Sequence, residues 1–277
     1  MKGIITKALG GFFFTADENQ NIYRSKIRGK IKEKVYPGDY VEFEDDIVEK
    51  IYERKSLLIR PAIANVDQVL IVLAVSDPAF DRRMLDRFLI IIEEASLQPV
   101  IVINKIELSD NDFKKQFHDY INAGYQVCFV SVQEETGLDE LKNSLHQHIN
   151  VLTGPSGVGK SSLINKIVKG ADLKVGDVSK RLKRGVHTTR HVELLPVDEG
   201  GWLADTPGFT SLDIKHILPE ELTYFYPEFI DHMMNCKFRG CSHTHEPKCA
   251  VKQAVENGDI SKVRYDSYIT FYEELSQ

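Results

Sequence analysis

The sequence GPSGVGKS at residues 154–161 is the feature that most narrows what this chain can fold into. It fits G-x-x-x-x-G-K-[ST], in which glycines with positive φ turn successive backbone N–H groups toward phosphate oxygens. Such a loop lies between a buried strand and a helix, whose N-terminus adds positive potential. Apolar residues before the loop and a helical pattern after it meet this requirement. We therefore expect a phosphate-binding loop in a parallel sheet.

Residues of this loop have distinct predicted roles. Lys160 is expected to reach the β- and γ-phosphates, and the Ser161 hydroxyl is expected to bind Mg²⁺. A chance glycine-rich turn is the alternative, and the flanking strand and helix argue against it. The residues predicted to contact the nucleotide here are Gly154, Pro155, Ser156, Gly157, Val158, Gly159, Lys160, Ser161 and Ser162.

A second motif, Asp205-Thr206-Pro207-Gly208, follows the apolar residues 202–204. An Asp at the end of a buried strand can hold Mg²⁺, directly or through water, and the Gly208 N–H can contact a γ-phosphate. D-x-P-G by itself indicates only a turn. Downstream of a phosphate loop, it is the expected second half of a nucleotide site.

A base-recognition motif, Asn104-Lys105-Ile106-Glu107, follows the strand predicted over residues 99–103. In GTPases with an N-K-x-D motif, Asn contacts the base edge, Lys covers the ring, and the carboxylate accepts from guanine N1–H and N2–H₂. Adenine lacks these donors and would leave a buried acceptor unpaired, which is costly. Because Glu107 is one methylene longer than Asp, we expect guanine preference with reduced affinity.

The order of these motifs is unusual. Ser131 and Val132 take the place of the short loop that backs the base, without its usual Ala-Lys. Base motif, backing loop, phosphate loop and D-x-P-G then follow in an order that is a rotation of the usual GTPase sequence. A fold whose termini lie close together tolerates this circular permutation. Strands and helices alternate from Val66 onward, which predicts a doubly wound α/β domain.

Residues 1–62 show short strand signals without helices, which is typical of a small β-barrel. The predicted strands span residues 3–14, 22–34, 39–43 and 47–54, and residues 57–65 are expected to form a connector. Basic residues alternate along the second strand and would share one face, favouring contact with a polyanion such as RNA. A charged edge strand protected against aggregation is the alternative. The six residues are Arg24, Lys26, Arg28, Lys30, Lys32 and Lys34.

Three of the four cysteines, Cys236, Cys241 and Cys249, lie close together near the C-terminus, with His243 and His245 between them. Three thiolates and one imidazole form a complete tetrahedral set for structural Zn²⁺, which leaves no open position for catalysis. Reduced cysteines in a core are the alternative. The zinc would substitute for the core that this short segment cannot build. A helix is predicted over residues 261–275, and its aromatic stripe is expected to be core.

The sequences GPSGVGKSS, RGVHTTRHVEL, ADTPGF and CKFRGCSHTHEPKCAVKQAV together resemble the bacterial circularly permuted GTPases called ribosome small subunit-dependent GTPase A. The resemblance runs from end to end. It implies an OB-fold at residues 1–62, a permuted GTPase domain at 63–214 and a helical zinc domain at 215–277. It places the histidine ligand at His243. It also implies a role in late maturation of the 30S subunit, with contact to 16S rRNA and GTP hydrolysis stimulated by the subunit.

The resemblance identifies residues 185–190 as the first switch, with Thr189 preferred over Thr188 as a Mg²⁺ ligand. Phe209 stands where many GTPases carry a glutamine that orients water, and phenylalanine cannot do so by hydrogen bonding. His187 or a group supplied by the subunit must then take that role. The predicted catalytic set is His187, Lys160, Thr189 and Gly208. Nearby basic residues expected to couple RNA to the switch are Lys180, Arg181, Lys183 and Arg184.

Other features of the sequence limit the possible location and function of the protein. The N-terminus lacks the apolar segment of a signal peptide, and the apolar runs are too short to cross a bilayer. We therefore expect a cytoplasmic protein without a membrane partner, and a monomer. Guanosine tetraphosphate should fit a GDP-shaped site. Two other classes of function remain as alternatives. The first is an RNA-binding assembly factor with a mainly structural nucleotide site, and intact Lys160 and Asp205 argue against it. The second is an ATP-using kinase, and residues 104–107 argue against it.

The role of His187 can be tested directly. Replacing His187 with Ala is expected to lower subunit-stimulated turnover by about 10²-fold or more if the imidazole positions the attacking water. The measurement is phosphate release from GTP with purified small subunits. Normal stimulated turnover in the variant would remove His187 from the mechanism.

Overall fold

The computed structural model describes two compact units. The residues it describes are 1–59, 61–110, 112–168, 171, 192–197, 200–205 and 212–277. One unit comprises Met1–Phe80, Val102–Leu108 and Cys128–Thr210, and the other comprises Asp81–Ile101, Ser109–Val127 and Ser211–Gln277. Among the described helices, none combines the length and the apolar character needed to cross a membrane.

The first unit begins with a closed five-stranded barrel in the order β1-β2-β3-β5-β4. Its strands are β1 (Lys2–Leu9), β2 (Phe12–Ala16), β3 (Ile22–Ile27), β4 (Tyr40–Glu44) and β5 (Ile47–Ile51). β1 pairs antiparallel with both β2 and β4, which closes the barrel, whereas β3 and β5 pair in parallel. Inward side chains such as Ile5, Val41, Phe43 and Val48 fill the interior. The predicted barrel is confirmed.

Two predictions in this region are wrong in detail. β3 ends at Ile27, so of the six alternating basic residues only Arg24 and Lys26 lie on the strand. The chain turns after it, where the Ile31 N–H donates to the Arg28 carbonyl at 2.9 Å, and the glycine inside that turn weakens strand structure. The predicted row on one face is therefore not formed. The expected connector is a hairpin of β6 (Leu57–Ile59) and β7 (Ala62–Ala64).

A six-stranded sheet in the order β10-β9-β8-β11-β13-β12 follows the barrel. Its strands are β8 (Gln68–Ala74), β9 (Gln98–Asn104), β10 (Gln126–Phe129), β11 (Ile149–Thr153), β12 (Leu194–Pro196) and β13 (Trp202–Ala204). β11 runs parallel to β8 and β13, and every residue of β8 and β11 is buried. Helices α3 (Leu138–Ser144) and α4 (Lys160–Ile167) lie in the same unit. The predicted α/β fold is confirmed.

The second unit is largely helical. Its α-helices are α1 (Arg82–Glu94), α2 (His118–Asn122), α5 (Pro227–Met233), α6 (Ala250–Asn257) and α7 (Lys262–Leu275), with 3₁₀ turns at Phe113–Phe117 and Pro219–Phe225. The predicted C-terminal helix is confirmed, and the Ser261 hydroxyl caps it by accepting from the Val263 N–H at 3.2 Å. Its buried ridge is Arg264, Tyr268 and Phe271.

Arg264 organises this unit as a buried charge. Its guanidinium is 2.5 Å from an Asp86 carboxylate oxygen on α1 and 2.7 Å from Glu228 on α5, and Tyr226 lies beneath it at 4.6 Å. A buried ion is stable only when paired, and removing one partner typically costs about 3–5 kcal/mol. Three helices are therefore held together by one guanidinium.

Candidate functional site

The phosphate loop lies between β11 and α4. Gly154 and Gly159 have φ values of 131° and 94°, a region that disfavours every residue with a Cβ. Close packing adds a second constraint, because a Cβ on Gly154 would overlap the carbonyl oxygen of Val72 in β8. A Cβ on Gly159 would overlap the side-chain nitrogen of Asn104. The loop thus requires glycine both for its backbone angles and for its contacts.

Lys160 is held inside this loop. Only 5% of Lys160 is exposed, and its Nζ donates to the carbonyl oxygens of Gly154 at 2.8 Å and Pro155 at 2.5 Å. Burial lowers the pKa of Lys160 to about 8. A phosphate beside the ammonium group would favour its charged form and oppose that shift. Ser161, also 5% exposed, follows it in the first turn of α4.

Asn104 joins three of the predicted motifs. It ends β9 and is buried, and its Nδ2 donates to the Val158 carbonyl of the phosphate loop at 2.8 Å. Its Oδ1 accepts from the Val132 N–H of the backing loop at 3.4 Å. In that loop the buried Ser131 hydroxyl accepts from the Glu134 N–H at 3.0 Å. One side chain therefore brings the phosphate loop, the base motif and the backing loop together.

Glu107 offers an unpaired acceptor next to this junction. It lies in a short 3₁₀ turn, Ile106–Leu108, and its Oε2 is buried with no hydrogen-bond partner among the described residues. Buried polar atoms are nearly always hydrogen-bonded, so this carboxylate oxygen is available to a donor from water or from a ligand. The preceding Lys105 adopts φ 62° and donates to the backbone carbonyl of Asp77.

Asp205 follows β13, at the same edge of the sheet as the phosphate loop, because β13 runs parallel to β11. Its Oδ1 accepts from the Glu193 N–H at 2.9 Å, and its own N–H donates to the Glu193 carbonyl at 2.9 Å. Several predicted residues lie outside the described part of the chain. They are His187, Thr188, Thr189 and the rest of residues 185–190, Gly208 and Phe209, and the basic residues Lys180, Arg181, Lys183 and Arg184.

The cysteine cluster has metal-site geometry. The ligand atoms of Cys236, Cys241, His243 and Cys249 all lie within 4.8 Å of one another. The sulfurs of Cys236 and Cys249 are 3.9 Å apart, and His243 Nδ1 is 3.3 Å from the Cys249 sulfur. A tetrahedral Zn²⁺ with bonds of about 2.3 Å to sulfur would separate two such sulfurs by about 3.8 Å. The donor set therefore fits a closed four-coordinate ion.

His243, not His245, belongs to this cluster. His243 is buried and His245 is exposed. With Nδ1 facing the thiols, the other ring nitrogen of His243 lies 3.1 Å from the Thr223 hydroxyl, and the Tyr265 hydroxyl donates to the His243 carbonyl at 2.6 Å. Burial lowers the pKa of His243, which favours the neutral imidazole that metals require. An oriented second nitrogen is common in metal sites.

Sequence reasoning missed two residues that support these sites, Thr223 and Glu193. Thr223 lies 20 positions before the histidine that it contacts. Glu193 lies 12 positions before Asp205. Thr223 lies outside the motifs, and Glu193 lies in RGVHTTRHVEL without a role that the motif predicts. Only the fold brings each residue beside its partner.

Known proteins resemble the chain along its whole length. The sequence model described as RsgA GTPase matches residues 51–215, and the one described as RsgA N-terminal domain matches residues 2–50. The small ribosomal subunit biogenesis GTPase RsgA of Halalkalibacterium halodurans is 44% identical, over 99% of this chain and 97% of that protein. The protein of the same name from Clostridium botulinum strain 657 is 45% identical, over 99% and 97%.

Solved structures agree. The crystal structure of YloQ, described as a circularly permuted GTPase, has a TM-score of 0.81 at 39% identity and covers 99% of this chain and 94% of its own. The crystal structure of YjeQ from Thermotoga maritima has a TM-score of 0.83 at 37% identity and covers 99% and 98%. The rotated motif order in this sequence therefore corresponds to a known permuted fold.

The contact between Gly159 and Asn104 generates a prediction. Gly159→Ala should weaken binding of a fluorescent GDP analogue by about 10²-fold, because the new methyl group displaces the Asn104 amide and strains the backbone. Gly157→Ala is the matched control. It has a similar φ of 89°, but among the described residues its Cβ would meet only Pro78 Cδ, at 3.6 Å. Its affinity for the GDP analogue should fall by only about tenfold, because the backbone strain costs about 1–2 kcal/mol. Equal losses in the two variants would contradict the role given to this contact.

Proposed function

The chain belongs to the RsgA GTPase family and is a GTP hydrolase, and from this premise we propose that it acts as a nucleotide-controlled checkpoint in late maturation of the 30S ribosomal subunit. The nucleotide part of the proposal rests on the junction at Asn104, which joins phosphate loop, base motif and backing loop in one site, and the subunit part rests on the relatives named small ribosomal subunit biogenesis GTPase.

The triphosphate is assigned to residues 154–162. Backbone N–H groups of the loop surround its oxygens, and the ammonium group of Lys160 contacts the β- and γ-phosphates. Mg²⁺ is held by the Ser161 hydroxyl, by Asp205 directly or through water, and by Thr189 of the first switch. Gly208 contacts the γ-phosphate, and His187 or a group of the ribosomal subunit orients the water.

Guanine is assigned to Asn104, Lys105 and Glu107, with Ser131 and Val132 behind the base. The buried, unpaired Oε2 of Glu107 supports this assignment, since guanine N1–H and N2–H₂ supply the missing donors and adenine does not. Glu107 takes the place of the usual aspartate in the motif and lies in a 3₁₀ turn. Guanosine tetraphosphate is proposed as a further ligand of this site, because it should fit a pocket shaped for GDP.

The barrel is proposed to contact 16S rRNA. The Arg24 guanidinium lies over the Phe12 ring at 3.6 Å, and the Lys26 ammonium lies 5.8 Å from the same ring centroid. Aromatic rings beside basic groups suit stacked bases and a phosphate backbone. The two basic residues Arg24 and Lys26 take the place of the six-residue row that the sequence predicted.

The chain is proposed to act as a monomer with three domains. They are an OB-fold domain (1–62), a GTPase domain (63–214) and a zinc domain (215–277). Its cytoplasmic location stays a prediction.

The cysteine cluster is assigned to one structural zinc ion. Three thiolates and the His243 imidazole leave no coordination position for a substrate. The ion would fix the fold of the segment 236–249, which supplies all four ligands. The Tyr265 and Tyr268 hydroxyls of α7 donate to backbone carbonyls inside that segment.

The guanine assignment predicts a specific change in selectivity. Glu107→Gln keeps the size of the side chain but removes its charge and one acceptor, so GDP affinity should fall by about 10–10²-fold while ADP affinity stays unchanged. Glu107→Asp is the control and should keep the guanine preference. Competition of each nucleotide against labelled GDP measures both values. Unchanged GDP affinity in Glu107→Gln would contradict the assignment.

Zinc content can be measured in purified protein. The wild-type chain should carry about one zinc ion, and Cys249→Ser should lose it and melt at a lower temperature, because metal binding is coupled to folding of this segment. Cys128→Ser is the matched control, since Cys128 is buried in β10 and is not one of the four clustered residues. Full zinc occupancy in Cys249→Ser would contradict the ligand set.

The checkpoint role is tested by GTP hydrolysis with and without purified small subunits. Turnover of the free protein should be slow, and the subunits should raise it by on the order of 10³-fold or more, as expected when a partner completes a catalytic site. Lys160→Ala should abolish both rates. Hydrolysis that does not change with subunits would favour the alternative function, an RNA-binding assembly factor with a mainly structural nucleotide site.

A further inference from the structure

The antiparallel pair β12–β13 contacts the barrel at two polar points. Lys7 of β1 forms an antiparallel bridge with Glu193, and its ammonium group lies 2.5 Å from the Glu193 carboxylate. The Gln20 side chain donates to the Val197 carbonyl at 3.3 Å. Both contacts join the barrel to residues 193–197, which include β12.

The main chain of Glu193 hydrogen-bonds to Asp205 of the predicted nucleotide site. Its N–H donates to the Asp205 carboxylate at 2.9 Å, and its carbonyl accepts the Asp205 N–H at 2.9 Å. These two bonds continue the β12–β13 ladder, whose last pair is Leu194 with Ala204. In sequence, Glu193 follows the predicted first switch, and Asp205 begins the second motif. Glu193 therefore contacts the barrel through its side chain. Through its main chain it contacts Asp205, whose carboxylate is predicted to bind Mg²⁺.

We propose that Glu193 is a positioning residue that couples the barrel to Asp205, so that RNA bound to the barrel tunes the affinity of the site for Mg²⁺–nucleotide. The inference rests on the proposed function, in which Asp205 holds Mg²⁺ and the barrel contacts rRNA. Movement of β1 is transmitted by the Lys7–Glu193 pair to the main chain at residue 193, and from there to the orientation of the Asp205 carboxylate.

The exposure of the pair sets the size of the effect. Its side chains are 27% and 39% exposed, and an ion pair of this kind contributes about 1 kcal/mol or less. This energy corresponds to roughly a fivefold change in an equilibrium. Glu193 therefore tunes the site and does not switch it on or off.

The experiment reverses the charges one at a time and then together. Glu193→Lys and Lys7→Glu should each raise the Mg²⁺ concentration for half-maximal GTP hydrolysis, measured without ribosomal subunits, by on the order of fivefold. The double variant, with the charges exchanged, should return toward the wild-type value. A contact that only stabilises the barrel would lower the melting temperature of each single variant without changing its Mg²⁺ requirement.

Matched controls come from the exposed Lys166–Glu135 pair, which lies in the same unit and joins α4 to the loop before α3, outside the barrel strands and β12–β13. Glu135→Lys should leave the Mg²⁺ requirement unchanged. Fluorescence of Trp202, the sole tryptophan of the chain, reports whether β13 stays packed. If a charge reversal prevents folding, the neutral variants Glu193→Gln and Lys7→Met take its place, with a smaller shift expected.

Two results would overturn the coupling. One is a Mg²⁺ requirement in Glu193→Lys and Lys7→Glu equal to that of Glu135→Lys. The other is a double variant that does not recover. Because these measurements use the free protein, failure of the ribosomal role would appear separately, as a wild-type rate that does not respond to small subunits.

Discussion

The close approach of the phosphate loop to its two neighbours is the constraint on which the rest of the structure depends. Gly154 lies against the Val72 carbonyl and Gly159 lies against the Asn104 amide, at distances that exclude any Cβ. These contacts fix the loop to β8 and to the end of β9. The phosphate loop and the predicted base motif therefore share one frame, since Asn104 also hydrogen-bonds to Val158 and Val132.

This frame explains why a rotated motif order gives an intact site. The base motif ends β9, the phosphate loop follows β11 and Asp205 follows β13, and these strands belong to one sheet. In such folds, ligands bind at the carboxyl ends of the strands. The site therefore depends on which strand ends lie together, and not on the order in which the chain visits them. The residue before β12 also meets a barrel strand, where Glu193 and Lys7 form an antiparallel bridge.

Local chemistry made much of the fold predictable. The phosphate loop, the strand Trp202–Ala204 and the C-terminal helix capped by Ser261 are dictated by neighbouring residues, and the structure places each as expected. The end of β3 was not predictable from alternation, because Arg28 begins a turn that the charge pattern does not reveal. Thr223, Glu193 and the pairing of Arg264 with Asp86 depend on contacts between distant parts of the sequence, for which a single sequence carries no signal.

The central claim is that the main chain of residues 154–161 and the ammonium group of Lys160 hold the phosphates of a guanine nucleotide. Calorimetric titration of the protein with GDP and GTP in the presence of Mg²⁺ tests it most directly. One saturable site is expected for each nucleotide, with much weaker binding of ATP. Absence of any binding of GDP and GTP would contradict it.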